Sequence, residues 1–291
     1  MKIAIPPDNL IGFHASIRGG IDRAVDRIKK LNCSTGQVFT KSNRQWKARK
    51  LKQEEIDRFI EKSNKLEGPV VAHTSYLINP ANYEPEGREK SIRSLITELK
   101  RAGRLEIPYL VLHPGLHKGK GEKIGLQLIV DCLDKVFSAT RKVKTTLLLE
   151  NTAGQGTALG YKLEHLRKIR ENVKTPEKIA YCLDTCHLFA GGYPLAPQEK
   201  YEQTMEKIET NLGIKMVKTI HLNDALKKLD SRVDRHTHIG EGKIGDTGFS
   251  LLMNDKRWKK VPKILETPVE NNEWEKFYGK NLKTLTAYLE K

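Results

Sequence analysis

No stretch of this chain approaches the ~18 consecutive apolar residues that a membrane-spanning helix requires, and the N-terminus shows no apolar core of the kind a secretory leader carries. Cysteine is scarce: Cys33, Cys132, Cys182 and Cys186 are the only four, and no two form a C-x-x-C pair. That excludes a disulfide scaffold and argues for reduced thiols, so the expectation is a soluble, cytoplasmic protein. Acids are outnumbered, 36 against 52 bases, which leaves a formal charge of +16 spread through the chain rather than gathered in a tail. Such a surplus favours a polyanionic partner over a neutral small substrate, although a lysine-rich composition alone would give the same number. There is no G-x-x-x-x-G-K-[ST] loop, since the glycine–lysine run 118–123 reads as a turn, so P-loop nucleotide chemistry is excluded. No Pro/Ser linker, low-complexity tract or near-identical repeat divides the chain, and 1–291 reads as one domain.

What is present is a series of short apolar runs at 10–14, 35–40, 69–73, 108–113, 146–150, 179–183, 217–224 and 263–268. Their length suits buried strands. Helical or long connecting segments follow nearly every one, with Ile21, Ala24, Val25, Ile28 and Leu31, then Ile92, Leu95, Ile96 and Leu99, at helical spacing. Connections of that length imply crossovers and a parallel sheet, and eight βα units close naturally into a TIM (β/α)8 barrel. Pro268 prevents further pairing of the last run.

The runs share an unusual ending. The sixth turns from Leu183 into Asp184, with His187 one turn later; that pair by itself reads more readily as a helix N-cap beside a surface histidine. Repetition argues otherwise, because His73, His113, Glu150, His221 and Glu266 also stand at or near strand ends, and a long loop adds Asp234 and His236. In a βα barrel these positions converge on the C-terminal face, where active sites lie. Packing does not explain them, since buried charge costs several kcal/mol unless it is paired or metal-bound. Nine donors exceed what one tetrahedral ion uses and suit two or three metals sharing carboxylates, with oxygen and nitrogen ligands fitting zinc or manganese. Clusters of that kind hydrolyse phosphodiesters. Beside them, the loop 41–50 gathers bases around Trp46 with no acid, which suits either a solvated face or a nucleic-acid surface. Cys182 and Cys186 are expected to be buried inert thiols, His14 and His238 to support the mouth, and His117 and His165 to lie on the surface.

Four motifs carry a family resemblance: Ser75-Tyr76-Leu77-Ile78-Asn79, Leu149-Glu150-Asn151-Thr152-Ala153-Gly154-Gln155-Gly156, Cys182-Leu183-Asp184-Thr185-Cys186-His187, and the segment from Val233 through Asp234 and His236 to Gly245. With Gly19, Gly20 and Phe39 to Trp46 they resemble the endonuclease IV family of apurinic/apyrimidinic endonucleases along essentially the whole chain. The resemblance implies a DNA-repair hydrolase that cuts duplex DNA 5′ to an abasic site, leaving 3′-hydroxyl and 5′-deoxyribose phosphate ends, and that also removes blocked 3′ ends. It implies three zinc ions, with manganese able to substitute at one site. His73 and His113 would hold one ion, with Glu150 bridging to a second that also binds Asp184, His221 and Glu266; His187, Asp234 and His236 would hold the third. Glu150 and Glu266 are thereby expected to be catalytic, and metal-activated water would replace any Ser or Cys nucleophile. Arg44, Tyr76 and Leu77 match positions that enter the DNA when the abasic sugar is extruded, a flip that costs less where the base is missing. The implied protein is a monomer with no obligate protein partner and no membrane contact.

The chain departs from the family pattern at Ala225, Leu226 and Asp230, where Ser-Lys and Gly are more common, and at Leu116, where a small polar residue is more usual. These changes bear on DNA contact rather than chemistry. Two other readings compete: a metal-dependent sugar isomerase or epimerase on a related barrel, which would leave Asp234 and His236 unexplained, and a non-catalytic DNA-damage binder, which would not need an intact ligand set.

Overall fold

The structure is a computed structural model and describes residues 9–289; the N-terminal stretch read above as lacking a leader lies partly outside them. Eight strands form one sheet: β1 (Ile11–Phe13), β2 (Gly36–Phe39), β3 (Val70–His73), β4 (Tyr109–Leu112), β5 (Thr146–Glu150), β6 (Ile179–Asp184), β7 (Val217–Leu222) and β8 (Lys263–Leu265). Between and after them come α1 (Ile21–Lys30), α2 (Gln53–Ser63), α3 (Pro85–Arg104), α4 (Glu122–Ala139), α5 (Leu163–Asn172), α6 (Thr185–Ala190), α7 (Gln198–Leu212), α8 (Gly245–Asn254) and α9 (Trp274–Ala287). Each strand pairs in parallel with its sequence neighbour from β2 to β8, and β8 pairs with β1. The remaining seam, β1 to β2, closes through a parallel bridge between His14 and Gln37 and the bond from Ala15 N–H to Gln37 O at 2.8 Å. The approach there is so close that a Cβ on Gly12 would lie 1.9 Å from the Thr35 carbonyl oxygen, so only glycine fits. The result is a TIM barrel. No helix among the described residues is long and apolar enough to cross a membrane.

Strand periodicity explains where the donors go. Val71, Val111, Leu148, Ala180 and Cys182 pack together inside the barrel. Their strand neighbours Ala72, Leu110, Leu112, Leu147 and Leu149 belong to the larger cluster shared with the helices. Because side chains alternate along a strand, the residue two beyond each interior position also points inward, one layer nearer the C-terminal mouth. Val71 leads to His73, Val111 to His113, Leu148 to Glu150 and Cys182 to Asp184. Register brings them level: Asp184 pairs with His221, and His221 with Ile264, two residues before Glu266.

Two boundaries differ from expectation. The run 263–268 is a strand only to Leu265, so Glu266 sits just past its end. The run 217–224 is broken at Leu222, and Asp224–Ala225 instead pairs antiparallel with His236–Thr237. Four backbone N–H groups, those of Ala225, Gly240, Gly242 and Ile244, donate to the buried Asp224 carboxylate at 2.8–3.1 Å. That carboxylate folds the long loop back over the mouth, a contact with no local signature in either segment.

Candidate metal centre

All nine donors meet above the interior layer, arranged around Glu150. This carboxylate is fully buried, and its two oxygens face different partners. Oε2 lies 3.2 Å from His73 Nε2 and 3.0 Å from His113 Nε2, while Oε1 lies 3.0 Å from His221 Nδ1 and 3.4 Å from His187 Nδ1. Three sets of donor atoms each fall within 4.8 Å of one another: His73, His113 and Glu150; Glu150, Asp184, His221 and Glu266; His187, Asp234 and His236. Glu150 belongs to two of them.

Asp184 both caps a helix and faces the cluster. Its Oδ1 caps α6 by accepting the His187 N–H at 2.7 Å, while Oδ2 turns toward the centre and accepts from Asn223 Nδ2 at 2.6 Å. The cap is what places His187 one turn further on, under the same mouth.

The ring nitrogens are aimed by the groups behind them. A carbonyl oxygen can only accept, so a ring nitrogen facing one carries the hydrogen. His73 Nδ1 faces Thr74 O at 2.8 Å, His187 Nδ1 faces Asn151 O at 3.0 Å, and His236 Nδ1 faces Glu266 O at 3.3 Å. His221 Nε2 faces Gln37 Oε1 at 2.9 Å, and the Gln37 amide is itself oriented by donating to Glu266 Oε1 at 2.6 Å. Each ring therefore turns a lone pair toward carboxylate oxygens. His73 Nε2 meets Glu150, His221 Nδ1 meets Glu150 and, at 3.3 Å, Glu266, and both His187 Nε2 and His236 Nε2 stand 3.2 Å from Asp234. The buried Nε2 atoms of His187 and His236 have no hydrogen-bond partner among the described residues. Lone pairs opposed at that distance repel unless a cation or a proton lies between them. Histidines oriented from behind by carbonyls, with carboxylates in front, fit divalent metal.

The electrostatics express the same demand. Burial opposes charge on His73, His187, His221 and His236, yet the adjoining carboxylates, preceded for His221 by the sulfur of Cys182, outweigh it and push all four pKa values up. Burial would raise Glu150, but His113 and His221 hold it well below the carboxylate range, and histidines hold Glu266 and Asp234 low in the same way. Carboxylates and imidazoles together favour positive charge at the centre of the cluster.

Several supporting residues were not foreseen. Gln37, Asn151 and Asn223 orient His221, Asp184 and Glu266; Asn223 Oδ1 accepts from Glu266 N–H at 3.0 Å, and Asn151 Oδ1 accepts from Asp184 N–H at 2.7 Å. Their signal was slight: an amide inside an apolar strand, and amides one or two residues after a ligand. His14, expected near the mouth, lies 3.0 Å from Glu266 Oε1, and His238 is hydrogen-bonded with Asn281. His165 is a correction, because it is buried rather than on the surface and holds α5 to Glu122 at 3.3 Å. Cys182 and Cys186 also come within reach of donor groups, but burial pushes both thiols up to about 12.

Arg44, Tyr76 and Leu77 lie outside the donor cluster, on the loops after β2 and β3. Arg44 is exposed, Tyr76 is 66% exposed and Leu77 36%. The Tyr76 ring stands edge-on to Phe39 at 5.5 Å and lines a cleft of about 270 Å³ with His73, His113, Leu116, Gln155 and Asp234. The loop 41–50 is not wholly a solvated face, since Lys41 is buried and Arg49 pairs with Glu55.

A family model described as xylose isomerase-like TIM barrel matches residues 25–288. The chain is 45% identical over 258 residues to a protein of Chloroflexus aurantiacus named probable endonuclease 4, covering 88% of this chain and 90% of that one. It superposes on the crystal structure of endonuclease IV from Thermus thermophilus with a TM-score of 0.84 at 34% identity, covering 96% of this chain and 98% of the other. A D-tagatose 3-epimerase-like protein superposes with a TM-score of 0.71 at 19% identity over 95% of this chain and 96% of that one, a likeness of fold alone.

Proposed function

Since the chain belongs to the endonuclease IV family of hydrolytic DNA nucleases, we propose that it is a zinc-dependent enzyme that cuts duplex DNA 5′ to abasic sites. In this reading it leaves 3′-hydroxyl and 5′-deoxyribose phosphate ends, clears blocked 3′ ends, and works as a cytoplasmic monomer. The observation that carries the reading is the set of four histidines whose lone pairs oppose carboxylates around Glu150. Three zinc ions, one per donor set, would supply a water acidified toward neutral pKa and positive charge for the departing oxygen. The chain's own part is positional. Glu150 joins the first two sets, Asn223 and Gln37 aim Asp184, His221 and Glu266, and Gln155 Oε1 fixes Asp234 by accepting its N–H at 2.9 Å. A sugar epimerase would leave the set formed by His187, Asp234 and His236 without a purpose. The direct test is a duplex with one abasic analogue, incubated with and without chelator. A single 5′ incision with a 3′-hydroxyl, lost on chelation, is expected; cleavage on the 3′ side, or cleavage indifferent to chelator, would refute the assignment.

Arg44, Tyr76 and Leu77 are proposed to fill the helix where the damaged nucleotide leaves it. Exposed apolar side chains beside the mouth suit wedging into base steps, and base–aromatic stacking is worth ~1–3 kcal/mol. Tyr76→Ala should therefore weaken abasic-DNA binding by roughly five- to two-hundredfold, with a smaller effect on cleavage at saturating DNA. Thermal melting is the control: because the ring is largely exposed, stability should change little. A large loss of melting temperature with unchanged affinity would make Tyr76 a packing residue instead.

The net charge of +16 makes a second statement. If surface bases neutralise phosphates, log affinity should fall linearly with log salt, at a slope of about −0.9 per phosphate contacted. A flat response in a salt titration would assign the charge to composition alone.

A further inference from the structure

The loops that bear Arg44 and Tyr76 are fastened together from below by charged residues of α3. The side chains of Lys41 and Glu98 are 2% and 1% exposed, and Lys41 Nζ lies 3.4 Å from Glu98 Oε1. Lys41 also donates to Gln45 O at 2.6 Å, which closes its own loop across Arg44. Glu98 accepts the Ser75 N–H at 3.2 Å and 3.3 Å through its two oxygens, one residue before Tyr76. Ser75 completes the connection, its Oγ donating to Asn43 O at 2.7 Å and accepting from Leu77 N–H at 3.3 Å. One turn further along α3, the buried Arg101 donates Nε and Nη2 to Thr40 O at 2.9 and 2.5 Å and Nη1 to Arg49 O at 2.7 Å. It thus holds both ends of the basic loop.

Buried ionic groups contribute little net stability and are costly to leave unpaired. Apart from the Lys41–Glu98 pair itself and the Ser94 hydroxyl that donates to Glu98, these three direct their polar contacts at the backbone of two loops, not at the barrel. Ordering those loops in advance removes an entropic cost that DNA binding would otherwise bear. We propose that Lys41, Glu98 and Arg101 are positioning residues for damage recognition, holding the loops 41–49 and 75–78 as one rigid wedge before DNA arrives. This rests on the reading that Arg44, Tyr76 and Leu77 enter the DNA.

The test compares Lys41→Met and Ser75→Ala with Tyr76→Ala and wild type, all in the full metal-loaded chain. Lys41→Met removes the buried cation; Ser75→Ala keeps both charges, and so tests the strap even where the first variant folds poorly. Affinity for an abasic-analogue duplex should fall about five- to fiftyfold in both, because binding must then order the loops. Turnover at saturating DNA should fall by less than about threefold, since ground-state order rather than chemistry is lost. Metal content should be unchanged. Acrylamide quenching of Trp46, taken by difference against Trp46→Phe, should rise in the DNA-free protein. If Tyr76→Ala weakens binding while Lys41→Met and Ser75→Ala bind and quench like wild type, the clamp is overturned and the DNA-entry reading stands. If Tyr76→Ala itself binds like wild type, the DNA-entry reading fails and the recognition role of the clamp fails with it.

Discussion

Glu150→Gln should abolish turnover, by more than about 10³-fold, while leaving abasic-DNA affinity within a few-fold of wild type. The substitution keeps the shape of a fully buried side chain but removes the charge shared by two donor sets. Its new amide nitrogen would replace one oxygen only, so it could donate to the lone pair of His73 or to that of His221, which stand 3.2 and 3.0 Å from the two present oxygens, while the retained oxygen would face the other ring. The variant should therefore fold, and should need metal less than the wild type does. Single-turnover cleavage and fluorescence anisotropy on the same duplex separate the two effects, with elemental analysis reporting the metal. Turnover within about tenfold of wild type would show that Glu150 does not join two metal sites.

Removing metal should be nearly as severe. Chelation is expected to abolish cleavage and to lower the melting temperature, and zinc should restore both. One ion present at a hundred times its Kd adds about 2.7 kcal/mol, which in a domain of this size corresponds to roughly 4 °C. The loss should depend on pH with a definite sign. In the stripped chain the raised pKa values of His73, His187, His221 and His236 contribute stability that is fully present below their unfolded value of about 6.5. That contribution disappears as pH rises through the raised folded values. The depressed carboxylates Glu150, Glu266 and Asp234 contribute stability present above about pH 4 and lost as pH falls through their folded values. Protons thus substitute best for metal between about pH 4 and 6.5. The melting difference between loaded and stripped protein should widen steadily above that window. A difference that stays constant from about pH 6 to 9 would mean that metals and protons do not compete for the same nitrogens.

The sequence by itself determined the barrel and the identity of the donors, for a local reason. Alternation along a strand is a property of the extended backbone, so Val71 inside the barrel places His73 inside as well, and Leu148 does the same for Glu150. Each such run could be read without its neighbours, and repetition of His, Asp and Glu at their ends did the rest. The tertiary structure decided how the donors are grouped and aimed. Whether His221 faces Glu150 or Asp184 depends on strand register around a closed sheet, and its ring is turned by Gln37, 184 residues away. The same holds for the break after Leu222, where Asp224 gathers amides from residues 240–244, and for His165, which is drawn inward by Glu122 from another helix. Lys41 looks like one more surface base in a basic loop, and its burial follows only from the arrival of Glu98 beneath it. In each case the deciding partner is distant in sequence. What faces the barrel follows from backbone periodicity; what a polar side chain bonds to follows from barrel closure.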